Sequence, residues 1–214
     1  MRLIAQIVTW VLMPIFMPIY ALFLAMYSPS LPIDISHGNT LFALKPEFKI
    51  AILLNYLLFT VVAPILMYLI FRILNIIKTV QLDDKKERNI PMILMSIFCL
   101  LLFYTFNAVQ FILPKYVYAL CLSGGLIIAF LLVLNQYLKV SLHATGVGIL
   151  TGFTFAYVKE QMIFDYRILI LVIIVSGIVM SSRLYLEKHS PKELAIGYFL
   201  SLFITFVLNF YYPN

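Results

Sequence analysis

Ser182-Arg183-Leu184-Tyr185-Leu186-Glu187-Lys188-His189-Ser190-Pro191-Lys192-Glu193 lies between two apolar runs, 168–181 and 194–212. The stretch therefore sits where one membrane helix ends and the next begins. Ser190-x-x-Glu193 with Pro191 between them reads as a helix start: serine as N-cap, proline at the first helical position, glutamate closing a capping box. Arg183, Lys188 and Lys192 suit the interface as anchors. The same residues also carry chemistry. Arginine is a fixed cation matched to phosphate oxygens, and histidine serves as nucleophile or acid/base near neutral pH. Glu193, four residues past His189, is near enough to orient its ring.

The rest of the chain agrees with a bilayer environment. Of 214 residues, 64% are apolar and 11% charged, against about 25% charged in an average soluble domain. Several runs approach the roughly 20 apolar residues that span a hydrocarbon core. The expectation is an all-α polytopic membrane bundle of six to seven transmembrane helices, a single integral-membrane domain over 1–214. Residues 3–27 are too long for the apolar core of a cleavable signal, and no convincing cleavage site follows them. Cys99 and Cys121 fall inside apolar runs and read as inert thiols. The net charge of +6 fits anionic headgroups, an anionic substrate or topology alike.

In order, the expected spans are 3–27, kinked by Pro14 and Pro18; 50–75, interrupted by Pro64; 92–112, opened by Pro91; 117–137; 144–158, short and rich in small residues; and the two that flank the quoted stretch. A loop over about 28–48 holds His37, read as a loop histidine. The densest charge, Lys78 to Pro91, is either a solvated connector, because charge is costly within the bilayer, or the basic part of a phosphate site. Asp83-Asp84 is a weak Mg²⁺ candidate, since adjacent residues point apart on a helix.

Two spans separate Arg88 from His143 and two more separate His143 from Arg183. Even numbers put these breaks on one membrane face. Lys78, Arg88, Ser141, His143, Arg183, His189 and Glu193 can then converge at one end of the bundle, although half of all loops share a face in any case. Seven spans place the termini on opposite sides.

Ser182-Arg183, five residues, His189, three residues and Glu193 resembles the third signature of the type-2 phosphatidic acid phosphatase (lipid phosphate phosphatase) superfamily, with Glu in place of the family's Asp and Gly197 matching its glycine. Val140-Ser141-Leu142-His143-Ala144, about 40 residues earlier, resembles the second signature, Pro-Ser-Gly-His, with Val140 for Pro and Leu142 for Gly. The first signature, Lys-x6-Arg-Pro, is the poorest match. Arg88 stands for its arginine with Pro91 three residues on, Gln81 holds the lysine position, and Lys78, Lys85 or Lys86 would supply the charge. The resemblance covers about 78–200, within a core of about 78–212.

It implies metal-independent hydrolysis of a lipid phosphomonoester or pyrophosphate without a cofactor. His189 would form a phosphohistidine, Glu193 would orient it, and His143 would protonate the leaving oxygen and then activate water. Arg88, Arg183, Ser141 and Lys78 would hold the phosphoryl group. The implied partners are a lipid phosphate and membrane lipids, not nucleic acid, in the bacterial inner (cytoplasmic) membrane. Two other expectations stay open: a lipid phosphotransferase using the same histidine, and a non-catalytic protein of the same fold that binds anionic headgroups.

Overall fold

The computed structural model describes residues 1–33, 40–74, 85–108 and 113–213, without the side chains of 85–88. His37 and Lys78 lie outside the described residues. Within them the chain forms an all-α membrane bundle. Six stretches are long and apolar enough to cross a membrane: 2–27, 46–73, 89–107, 115–134, 166–185 and 191–211. Their outward faces carry exposed apolar side chains such as Ile4, Ile7, Leu54, Ile174, Phe199 and Phe203, as a surface against lipid tails requires.

The first span is broken where its prolines forecast. Helix α1 (Arg2–Val11) ends and a 3-10 turn (Pro14–Phe16) leads into α2 (Met17–Tyr27). The second span joins α3 (Pro46–Leu57) to α4 (Ala63–Ile73) through a π-helical turn at Leu58–Val62. That wider turn lies just before Pro64, whose missing N–H would otherwise interrupt the ladder. Helix α5 (Lys85–Asn107) starts earlier than the sequence reading: Pro91 lies inside it instead of opening it. Helix α6 is Lys115–Leu134, α7 Leu142–Lys159, α8 Tyr166–Tyr185 and α9 Pro191–Tyr211.

Helix α7 holds the centre. It is less apolar than the six and is not among them, yet 14 of its 18 residues are buried. Lipid gives no hydrophobic drive for helix pairing, so close packing of small residues has to supply the attraction. A methyl group at Gly148 would lie 2.1 Å from the Ser201 hydroxyl, and one at Gly152 would lie 2.3 Å from the Leu202 carbonyl. At the start of α9, a methyl at Gly197 would lie 2.9 Å from the Ser141 carbonyl. Contacts thus advance together along both helices: α7 and α9 run parallel, with their N-termini at the same end.

The loop expected over 28–48 contains one feature that periodicity does not reveal. Ser30–Pro32 forms strand β1, which pairs antiparallel with β2 (Gln161–Phe164) and clips the end of the first span to the end of α7. This opposite end of the bundle is also tied by Lys115, whose Nζ donates to Glu160 Oε1 at 2.6 Å and to the Phe210 carbonyl at 3.2 Å. Tyr116 donates to the other carboxylate oxygen of Glu160. Cys121 and Cys99 are free, buried thiols, and Cys121 Sγ lies 2.9 Å from the Tyr56 hydroxyl.

Candidate functional site

The turn between α8 and α9 is short because both helix ends are closed locally. At the end of α8, Glu187 N–H donates to the Leu184 carbonyl (2.9 Å) and Lys188 N–H to the Arg183 carbonyl (3.1 Å). This is a Schellman motif, in which the first of the two donors, the residue just past the C-cap, is left-handed. Glu187 takes that conformation, with φ 55°, at a cost of about 1–2 kcal/mol for a residue with a Cβ. Two residues later His189 is reached, and Ser190 starts the next helix.

Helix α9 opens with the capping box expected from its sequence. Ser190 Oγ accepts from Glu193 N–H at 3.3 Å, and Glu193 Oε2 accepts from Ser190 N–H at 3.0 Å. The same Oε2 lies 3.2 Å from His189 Nδ1. Capping and histidine orientation are therefore concurrent. The geometry explains why: a capping box swings the glutamate back over the N-cap, and His189 immediately precedes that N-cap. A carboxylate accepts, so Nδ1 carries the proton and the lone pair of the neutral ring is on Nε2. The His189 side chain is only 2% exposed and that of Glu193 18%, which limits solvent screening of the pair.

The second segment meets the third directly. Ser141 N–H donates to the Glu193 carbonyl at 3.4 Å. Gly197 makes the approach possible, because a Cβ there would also lie 3.0 Å from Val140 Cγ1 and 3.1 Å from Thr145 Oγ1. Ser141 is fully buried and is the N-cap of α7, its hydroxyl accepting from Ala144 N–H at 3.4 Å. The hydroxyl retains its own proton to donate. His143 is the second residue of α7, half-buried, with Nε2 3.1 Å from the carbonyl of Thr9 in α1. Sequence reasoning left the first span outside the site, and nothing in the spacing of Thr9 points to this contact.

Arg183 lies in the last turn of α8, where a cation is favoured by the helix dipole. It is half-buried, with its Nε shielded from solvent. Arg88 belongs to the first turn of α5, but its side chain is outside the description. Its neighbour Asn89 accepts from Asn135 Nδ2 at 3.0 Å, which holds the start of α5 against the end of α6 and so near the approach to Ser141. The backbone at residues 88, 141–143 and 183–193 thus gathers at one end of the bundle. Lys78 lies outside the described residues. Among the described residues no three His, Cys, Asp or Glu side chains form a metal-binding group.

Two parallel helix N-termini, of α7 and α9, lie side by side at this end. Each carries partial positive charge from its unsatisfied amides. With Arg183, Lys188 and Lys192 the local field favours an anion, and Glu193 offsets part of it. Comparison with known proteins finds no matching family model, no similar curated protein and no similar solved structure.

Proposed function

We propose that this integral membrane protein hydrolyses the phosphomonoester or pyrophosphate of a lipid through a phosphohistidine on His189. The observation that carries the reading is the His189 Nδ1–Glu193 Oε2 contact of 3.2 Å, in a turn that Ser141 joins to the start of α7. Orientation by a carboxylate through one ring nitrogen makes the other the nucleophilic one, as in a catalytic triad. Nε2 of His189 attacks phosphorus; the N–P bond forms as the bond to the lipid oxygen breaks. Glu193 stabilises the positive ring that results. His143 gives a proton to the departing alkoxide, then takes one from the water that cleaves the N–P bond and releases phosphate. Arg183 and Ser141, with Arg88 and Lys78 from the first segment, hold the phosphoryl oxygens beside the two helix N-termini.

A second reading has its own support. The Glu193 contact to Ser190 N–H explains its position as capping alone, and the first two signatures are altered at Gln81, Val140 and Leu142. On that reading the protein binds anionic headgroups without chemistry. A third variant passes the phosphoryl group to an alcohol in place of water.

Phosphate release from phosphatidate and from a polyprenyl diphosphate, by detergent-purified protein with a chelator present, separates them. The expected result is release that disappears in His189→Ala. Saturable headgroup binding without release from any lipid phosphate would establish the non-catalytic reading. Transfer to an added alcohol with little free phosphate would establish the phosphotransferase. The proposed setting is the bacterial inner membrane.

A further inference from the structure

We infer that the broken first helix is a working part of the site: it positions His143 and fixes which ring nitrogen exchanges protons. The catalytic consequence rests on the reading above, whereas the positioning itself does not.

The contact is His143 Nε2 to Thr9 O, 3.1 Å across 134 positions of sequence. A carbonyl oxygen only accepts, so Nε2 carries a proton in both the neutral and the charged ring. The neutral ring then has its lone pair on Nδ1. His189 has the opposite arrangement, with Nδ1–H facing Glu193. One histidine is thus set to react through Nε2 and the other through Nδ1. Two histidines in one reaction need such different environments.

The Thr9 carbonyl is available because α1 stops. The last rung of its ladder is Leu12 N–H to Val8 O, 2.9 Å. The next rung would be Met13 N–H to Thr9 O, but Leu12 has left the helical region, with φ −100° and ψ 45°, and Met13, which precedes a proline and so avoids helical backbone, is extended, with φ −65° and ψ 144°. The carbonyls of the final turn are left for other donors. Val11 O receives the Tyr20 hydroxyl at 3.0 Å, and Thr9 O receives His143.

The break is also seated on α7. A methyl at Gly146, three residues past His143, would lie 2.8 Å from Pro14 Cα and 2.9 Å from Pro14 Cβ. Pro14 therefore both holds Met13 out of the helix and docks the break at the level of the histidine. Thr9 is buried, so the contact is not a surface encounter.

The chain has three histidines, His37, His143 and His189, so ¹⁵N-histidine NMR of the full-length protein in detergent resolves the rings. His143→Gln identifies the His143 signals. Spectra are recorded above the pH at which the rings become neutral. The expected result is an Nε2–H tautomer for His143, and a mixture of tautomers in Pro14→Ala, in which the helix can run on and the carbonyl is recaptured by the backbone. An Nδ1–H tautomer in the wild type would overturn the inference, as would an unchanged tautomer in folded Pro14→Ala. Should Pro14→Ala not fold, the wild-type spectrum decides alone. Turnover gives the separate arm: Pro14→Ala is expected to lower kcat about tenfold with KM little changed, a part of the roughly 10²–10⁴-fold that a general acid contributes. The expected tautomers in a protein that hydrolyses no lipid phosphate would sink the proposed function and leave the positioning intact.

Discussion

One carboxylate oxygen of Glu193 serves two donors, His189 Nδ1 at 3.2 Å and Ser190 N–H at 3.0 Å. Glutamine can close a capping box as well, but a neutral amide cannot stabilise a positive imidazole ring. Glu193→Gln is therefore expected to keep near-normal thermal stability and to lose turnover about a hundredfold, about 2.7 kcal/mol of transition-state stabilisation. Near-normal turnover of this variant, beside an inactive His189→Ala, would leave Glu193 as a cap alone.

Gly197→Ala probes the joint between the two site segments. The added methyl meets the Ser141 carbonyl at 2.9 Å, backbone that cannot swing aside. Overpacking of this kind costs about 1–3 kcal/mol, and it pushes the start of α9 away from Ser141. Both melting temperature and phosphate release should fall. Gly177 in α8 is the control: a methyl there meets nothing within 4 Å, so Gly177→Ala should gain about 0.5–1 kcal/mol from the helix preference for alanine. Equal effects at the two glycines would refute the packing account.

Glu187 holds a left-handed conformation, φ 55°, that glycine adopts without a Cβ penalty. Glu187→Gly should raise stability by about 1 kcal/mol in a detergent melt, with turnover unchanged because the backbone path to His189 is kept. A lower melting temperature would mean that the Glu187 side chain makes a contribution larger than the strain.

At the opposite end, Lys115 and Glu160 have side chains 8% and 26% exposed. Removing the charge of Glu160 leaves a shielded ammonium with only the Phe210 carbonyl from this set. Complete burial would cost about 3–5 kcal/mol on loss of a partner; partial exposure of Glu160 lowers the expectation to about 1–3 kcal/mol. Glu160→Gln should therefore melt earlier, while its kcat below the melting range stays normal. A selective fall in kcat would show that this end communicates with the site.

The sequence by itself determined the membrane bundle, the break at Pro14, the capping box at Ser190 and the common end for Ser141 and Glu193. These follow from local physics: run length against bilayer thickness, the missing N–H of proline, a cap that spans four residues, and the parity of spans. The charged connector could not be bounded the same way: Pro91 reads as a helix opener, whereas α5 begins at Lys85 and carries Pro91 as its seventh residue. Tertiary structure alone decided which helices touch and through which atoms. Glycines 146, 148 and 152 announced close packing but not that their neighbours would be Pro14, Ser201 and Leu202. The β1–β2 clip and the Thr9–His143 contact join residues more than a hundred positions apart, with no periodic signal in either partner. A backbone carbonyl has the same chemistry at every residue, so only the path of the chain could select Thr9 as the acceptor for His143.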